Sequence, residues 1–338
     1  MRGTIYLFEV LFISFIAVVF SVQAFLFFLP IPHKTSTYSQ PNSAPKMVFE
    51  DPKFLAEFDS LIIPFKHAGK LLMVETTIDG QTGNLIFDTG ASGLVLNRTY
   101  FRDYAQIESV TPNGITGVVG KIYRTTVDSV SISCLLYRNV KADLADLGHI
   151  ENRRGVKVLG LFGFNLLRNF EIIIDIQNNE LKLIKIDKKG NRLNAPTQLF
   201  KSDYSQEIGE SNNVLFVLGE IGGKTLKFCF DTGAEINAIS SDLQKIVLNT
   251  ISITRRSKIG GAGSSTAEVF YGIMNDFAFG SRKLENMQTI ITNLSSLNEA
   301  YDVQFSGVLG YDFLEKGVIC INLRKRQLSI RYTKAEEV

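Results

Sequence analysis

From about Leu61 to Tyr332 the chain alternates short apolar runs with polar or glycine-bearing turns. That pattern predicts many short strands and little helix. The stretch "LLMVETTIDGQTGNLIFDTG", 71–90, reads as an apolar strand, a glycine turn and a return strand ending on Leu85, Ile86 and Phe87. Helix is expected only in short pieces: Phe162 to Arg168, Tyr311 to Lys316, and regions near Tyr100 to Gln106 and Ser241 to Val247. Residues 11–29, "LFISFIAVVFSVQAFLFFL", carry no charge and are about long enough to span a bilayer. A secretory signal cut after Val22-Gln23-Ala24 is the rival reading of that run.

The expected organisation follows from these shifts of pattern. Residues 1–30 form a membrane anchor or signal segment. Residues 31–60, rich in Pro, Ser and Thr, form a polar linker. A strand-rich lobe covers 61–187. A polar connection with Pro196 covers 188–213, and a second strand-rich lobe covers 214–333.

The two strand-rich blocks repeat each other. "LIFDTGASGLVLN", 85–97, is answered by "LKFCFDTGAEINAIS", 226–240, with Asp231 following Asp88 by 143 positions. Each block then offers a glycine-bearing hairpin, a "VLG" and a strand pair around a polar turn. Gly160 to Gly310 is an offset of 150 and Asp175 to Asn322 one of 147, so the landmarks stay in phase. The reading is a mostly β protein of two similar lobes.

An aspartate at the end of a buried strand is costly unless it is hydrogen-bonded, paired or used. In Asp-Thr-Gly the glycine permits a tight turn whose N–H groups can point at the carboxylate. The threonine hydroxyl can reach main chain in a partner turn. If the lobes pack about a pseudo-two-fold axis, Asp88 and Asp231 face each other. Two carboxyl groups that close share one proton, and together they can act as base and acid on a water and a carbonyl.

"FDTGAS" and "FDTGAE", each with a downstream "VLG", resemble the aspartic protease superfamily, and the alanine after each DTG is similar to its retropepsin-like branch. The resemblance implies two acid-protease β-barrel lobes related by pseudo-two-fold symmetry, and an endopeptidase that uses water with no cofactor and no metal. It implies Asp88 and Asp231 as the catalytic pair, with Thr89, Gly90, Thr232 and Gly233 supporting them. The hairpins near Gly117, Gly120 and Tyr123, and near Gly260 and Gly261, would be flaps over an extended peptide or protein substrate. Glu235 stands where retroviral-type enzymes carry an aspartate, and implies either a substrate contact or an inter-lobe arginine contact, against a solvated surface acid. Pepsin-like enzymes place Ser or Thr where Ala91 and Ala234 stand here. Fewer donors to the charged dyad imply an optimum nearer neutral than theirs.

Composition changes the picture little. The chain has 338 residues, 45% of them hydrophobic, and a formal net charge of +2 with acids and bases interspersed. Nothing points to nucleic acid. Cys134, Cys229 and Cys320 lack metal-ligand spacing and read as small buried hydrophobes, and the three histidines are scattered. Both lobes lie in one chain, so the expected site needs no obligate dimer. The expected location is a single-pass membrane anchor with an extracytoplasmic body, secretion after cleavage being the alternative. A catalytically silent peptide-binding module of the same fold is the alternative function. A sugar-kinase or actin-like arrangement would need long helices that the pattern does not offer.

Overall fold

The computed structural model describes residues 51–105, 108–110, 113–114, 117–118, 122–194, 200–260 and 266–333. The expected span at 11–29 and most of the expected linker lie outside them. Among the described residues no helix is long and apolar enough to cross a membrane.

The described chain is mostly β, as its pattern predicts. In the first lobe Leu71–Ile78 pairs antiparallel with Gln81–Asp88 around a tight turn at Asp79-Gly80. The strand Val158–Gly163 then inserts between two neighbours, parallel to Gln81–Asp88 on one side and antiparallel to Leu94–Asn97 on the other. The second lobe repeats this. Val214–Ile221 pairs with Lys224–Phe230, and Gly307–Leu309 lies parallel to Lys224–Phe230 and antiparallel to Asn237–Ser240. The insertion packs backbone on backbone, which explains its glycines. A Cβ on Gly163 would lie 2.5 Å from the Ala91 carbonyl oxygen, and one on Gly310 would strike the Ala234 carbonyl.

These contacts correct one pairing read from the sequence. Gly310 is equivalent to Gly163 rather than Gly160, because each abuts the alanine of its own DTGA turn. Phe164 N–H bonds the Ala91 carbonyl at 3.3 Å, and Tyr311 N–H bonds the Ala234 carbonyl at 2.9 Å. Gly160 matches Gly307, each packed on the next strand's backbone at Val95 and Ala238. The offset is then 147 throughout this part of the repeat, the same as from Asp175 to Asn322.

A third sheet joins the lobes. Its order runs Tyr204–Glu207, Gln327–Tyr332, Gly317–Asn322, Phe170–Asp175, Glu180–Lys185, Ser60–Pro64. Three strands come from each half, and they meet where Phe170–Asp175 pairs antiparallel with Gly317–Asn322. In that register Ile173 faces Cys320, which is its own equivalent at the 147 offset, so the pseudo-two-fold axis passes through this pair. One sheet face belongs to the main core with Ile172, Ile174, Leu181, Leu183, Ile319, Ile321, Leu328 and Ile330. The other carries Ile173, Ile184, Val318 and Cys320, against which Phe200 packs.

Some elements differ from expectation. The stretch 188–213 carries strands Tyr204–Glu207 and Gly209–Ser211, whose backbone groups are taken up by Gln327–Tyr332 and Val214–Ile221. The expected helices shorten to a 3-10 turn at Phe164–Leu167 and to Tyr311–Leu314, and those expected near Tyr100 to Gln106 and Ser241 to Val247 stand as four-residue helices at Arg98–Phe101 and Lys245–Leu248. Two seven-residue helices, Gly148–Arg154 and Ser295–Tyr301, were not expected. They are equivalents at the same 147 offset, each ending on a left-handed residue, Gly155 at φ +64° and Asp302 at φ +49°.

Candidate active site

The two Asp-Thr-Gly turns leave the ends of their strands and meet between the lobes. Asp88 closes the strand Gln81–Asp88, and Asp231 follows Lys224–Phe230. Four hydrogen bonds tie the turns reciprocally. Thr89 N–H donates to Thr232 Oγ1 at 2.9 Å, and Thr232 N–H donates to Thr89 Oγ1 at 2.9 Å. Thr89 Oγ1 donates to the Phe230 carbonyl at 2.9 Å, and Thr232 Oγ1 to the Phe87 carbonyl at 2.8 Å. All four residues of the two Asp-Thr pairs are fully buried.

Within each turn the backbone points at its own carboxylate. Gly90 and Ala91 N–H groups donate to Asp88 Oδ1 at 2.8 and 3.3 Å. Gly233 N–H donates to Asp231 Oδ1 at 2.8 Å. The Asp88 carboxyl lies against the Gly233 backbone so closely that a Cβ there would sit 2.5–2.8 Å from its carbon and both oxygens. Oδ2 of each aspartate is buried with no hydrogen-bond partner among the described residues.

Burial dominates the electrostatics of the pair. Loss of water pushes Asp88 up to about 6, although Asp231 and the Gly90 and Ala91 amides pull the other way. Asp231 is pushed well above the usual carboxylate range by burial and by the Asp88 charge, with only weak relief from the amides. The pair therefore shares a proton, and Asp231, which burial and the Asp88 carboxyl both push up, is the member that holds it. Cys229 and Tyr301, buried beside the dyad, are pushed up by burial and by the carboxylates, and stay neutral.

Glu235 is 2% exposed and not a solvated acid. The Arg154 guanidinium of the first lobe grips both of its carboxylate oxygens, and Lys70 N–H donates to Oε2 at 3.1 Å. Lys70 Nζ bonds Asp312 Oδ2 at 2.9 Å, adding a second inter-lobe ion pair. Arg154, Lys70 and Asp312 were not singled out from the sequence. Their partners lie 81 and 242 positions away, and Arg154 sits on a helix without a capping side chain.

The expected flap residues are placed unevenly. Gly117–Val118 pairs with Asn113–Gly114 as a short hairpin, and Gly260 ends the strand Ile251–Gly260. Gly120 and Gly261 lie outside the described residues. Tyr123 stands at the base of its hairpin, in Ile122–Ile132, packed on the main core beneath the Arg98 guanidinium, whose carbon is 5.1 Å from the ring centre. Its equivalent in the second lobe is Phe270, as Ile291 answers Leu144. Cys229 and Cys320 are buried and unbridged, as small apolar side chains. Among the described residues no group of three or more His, Cys, Asp or Glu side chains is arranged to hold a metal ion.

A family model described as aspartyl protease matches the chain in two segments, 74–166 and 217–313. The chain belongs to the aspartyl protease family. Each matched segment carries one Asp-Thr-Gly turn and one inserted glycine strand, so the family's two-lobed arrangement is met within one chain. No curated protein matches it.

Proposed function

We propose that this protein is an aspartic endopeptidase that hydrolyses peptide bonds with a water activated between Asp88 and Asp231. One observation carries the reading. Two buried carboxyl groups, delivered by two lobes and held by their own turns, each keep a buried Oδ2 with no hydrogen-bond partner among the described residues. Ionised Asp88 takes a proton from the water as its oxygen attacks the carbonyl carbon, and protonated Asp231 donates to the carbonyl oxygen. A tetrahedral gem-diol results. Its collapse breaks the C–N bond as the proton held by Asp88 passes to the leaving nitrogen and Asp231 takes back one hydroxyl proton, so that the acid and amine leave and the pair returns to its starting protonation. The donors preset around each Oδ1 fix the carboxyl planes without consuming the oxygens that react. Thr89, Gly90, Thr232 and Gly233 hold the geometry. The glycine-bearing hairpins near Gly117 to Tyr123 and Gly260 to Ser264 act as flaps that add backbone hydrogen bonds to an extended peptide. One chain supplies both aspartates, so the site needs no obligate dimer, and residues 11–29 anchor the chain with the body extracytoplasmic.

The complete burial of both aspartates favours a second reading, a silent module that holds peptide without cutting it. Full-length protein in detergent, given a diverse peptide mixture over a pH series, decides. Endopeptidase activity predicts internal cuts that vanish in both Asp88→Asn and Asp231→Asn and are blocked by pepstatin. Peptide retention without cuts at any pH by folded protein overturns it. Protease protection of the body in sealed vesicles tests the orientation separately.

A further inference from the structure

The two halves of the site are equivalent at the dyad but not beside it. On the Asp231 side the turn runs straight into Glu235, which the first lobe seizes through Arg154 and the Lys70 amide. Gly69, at φ +69°, lies under the Arg154 guanidinium where any side chain would collide with it. Arg154 is 13% exposed and Glu235 2% at the side chain, and the neighbouring Lys70–Asp312 pair is 27% and 7%. On the Asp88 side Ser92 stands in place of Glu235 and Tyr301 in place of Arg154, and the Tyr301 hydroxyl is buried with no hydrogen-bond partner among the described residues. The ion pair on that side, Arg168–Glu210 at 2.7 Å, is looser, at 28% and 22% exposed, and reaches Ser92 only through Asn165, whose N–H bonds the Ser92 carbonyl at 3.1 Å.

The segment between Asp231 and Glu235 transmits force. Gly233 N–H is bonded to the Asp231 carboxylate, Ala234 N–H to the Asp231 carbonyl at 3.3 Å, and the Ala234 carbonyl to Tyr311 N–H at 2.9 Å. The Gly233 backbone is also the wall on which the Asp88 carboxyl rests. A pull on Glu235 therefore moves the surface that sets the spacing of the pair.

We propose that Arg154, with Lys70 beside it, is a positioning residue: a one-sided clamp from the first lobe that holds the Asp231 turn against Asp88 and so fixes the separation and dryness of the dyad. This deepens the proposed function and rests on it for its catalytic meaning, but not for its geometry. Releasing the clamp lets the second turn recede and water enter. The charged groups facing Glu235 are Arg154, Lys70 and, through Lys70, Asp312. Those facing the dyad are its own two carboxyls, with neutral Cys229 and Tyr301.

The test is a ¹³C-carboxyl NMR titration of aspartate-labelled full-length protein in detergent, with the Asp88 signal identified by its loss in Asp88→Asn. In Arg154→Ala the Asp88 midpoint should fall from about 6 by about one unit as water returns. It should stay in Arg154→Lys and in Arg168→Ala, which removes the looser pair on the opposite side. Turnover of a cleaved peptide should drop about tenfold or more in kcat in Arg154→Ala, with KM nearly unchanged. If Arg154→Ala does not fold, Glu235→Gln keeps the shape and should move the midpoint the same way. An unmoved midpoint in folded variants, or an equal shift in Arg168→Ala, overturns the clamp. Wild type that never cleaves would sink the endopeptidase reading, yet the midpoint would still decide the clamp.

Discussion

Replacing Thr232 by valine tests how the lobes are held at the dyad without relying on any activity. Thr232 is fully buried, and its Oγ1 serves two inter-lobe bonds, accepting from Thr89 N–H at 2.9 Å and donating to the Phe87 carbonyl at 2.8 Å. Valine has nearly the same shape, so it leaves no cavity but strands one buried N–H and one buried carbonyl. Each stranded group costs about 1–3 kcal/mol. The extra buried methyl returns about 1 kcal/mol. The net loss should be about 3 kcal/mol, a sizeable part of the roughly 5–15 kcal/mol that holds a typical fold. Thr89→Val should lose a similar amount, because Thr89 Oγ1 makes the mirror-image pair of bonds. Thr232→Ser should lose much less. The assay is urea unfolding of the full chain in detergent, followed by tyrosine fluorescence, since the chain has 11 tyrosines and no tryptophan. A Thr232→Val protein within about 0.5 kcal/mol of wild type, the range of an ordinary surface change, would refute the reciprocal grip.

The remaining predictions concern the carboxyls. Gly233→Ala would set a Cβ 2.5 Å from the Asp88 carboxyl carbon, where about 3.5–4.0 Å is needed. The resulting shift of about 1 Å should cost about 10²-fold in kcat, while far-UV circular dichroism stays native; kcat within threefold of wild type would contradict it. Peptide cleavage should rise with pH through about 6 as Asp88 ionises and fall only when Asp231 gives up its proton well above the carboxylate range, so a pH–rate maximum below about 4 would refute the assignment. Stability should run the opposite way. The folded state holds the Asp88 proton up to about 6, against 3.8 ordinarily, so folding binds more protons than the unfolded chain between those values and stability falls by about 3 kcal/mol as pH rises through them. Asp231, raised further, adds its own fall over the same range, so Asp88→Asn should lessen the pH slope without abolishing it, and unfolding free energies with the same slope in both proteins would show that the Asp88 carboxyl is not desolvated.

The dyad was legible because its chemistry is local. A strand ending in Asp-Thr-Gly, written twice, determines where each carboxyl emerges and which amides cradle it. The inserted strand was legible only in outline. "VLG" occurs at 158–160 and at 308–310, and matching letters pair Gly160 with Gly310. The structure instead pairs Gly310 with Gly163, in "LFG", because the requirement is for a glycine beside the DTGA alanine and not for valine two positions earlier. The helices Gly148–Arg154 and Ser295–Tyr301 escaped notice because each is under two turns long and starts at a leucine that offers no side-chain cap. Helices that short are made by packing, here through Ile150 and Leu297 in their lobe cores, rather than by propensity. With the first helix hidden, the arginine that meets Glu235 could not be identified.

The duplication also explains where symmetry can and cannot be broken. Residues on or next to the axis must satisfy themselves: Thr89 bonds the Thr232 turn and Thr232 bonds the Thr89 turn, and a change to either alters both lobes' contacts at once. Away from the axis the constraint lapses, because two equivalent positions meet different neighbours. Arg154 and Tyr301 occupy the same place on equivalent helices, as do Glu235 and Ser92 after equivalent turns, yet only the first of each combination forms an ion pair. A symmetric cradle would give two carboxyls with equal claims to the proton. Here both turns are held through the threonines, but the Asp231 turn alone carries an inter-lobe ion pair, through Glu235 and Arg154. Asymmetry beside the pair thus follows from substitutions outside the two identical DTGA turns, which one chain carrying both half-sites permits and a pair of identical chains could not express separately.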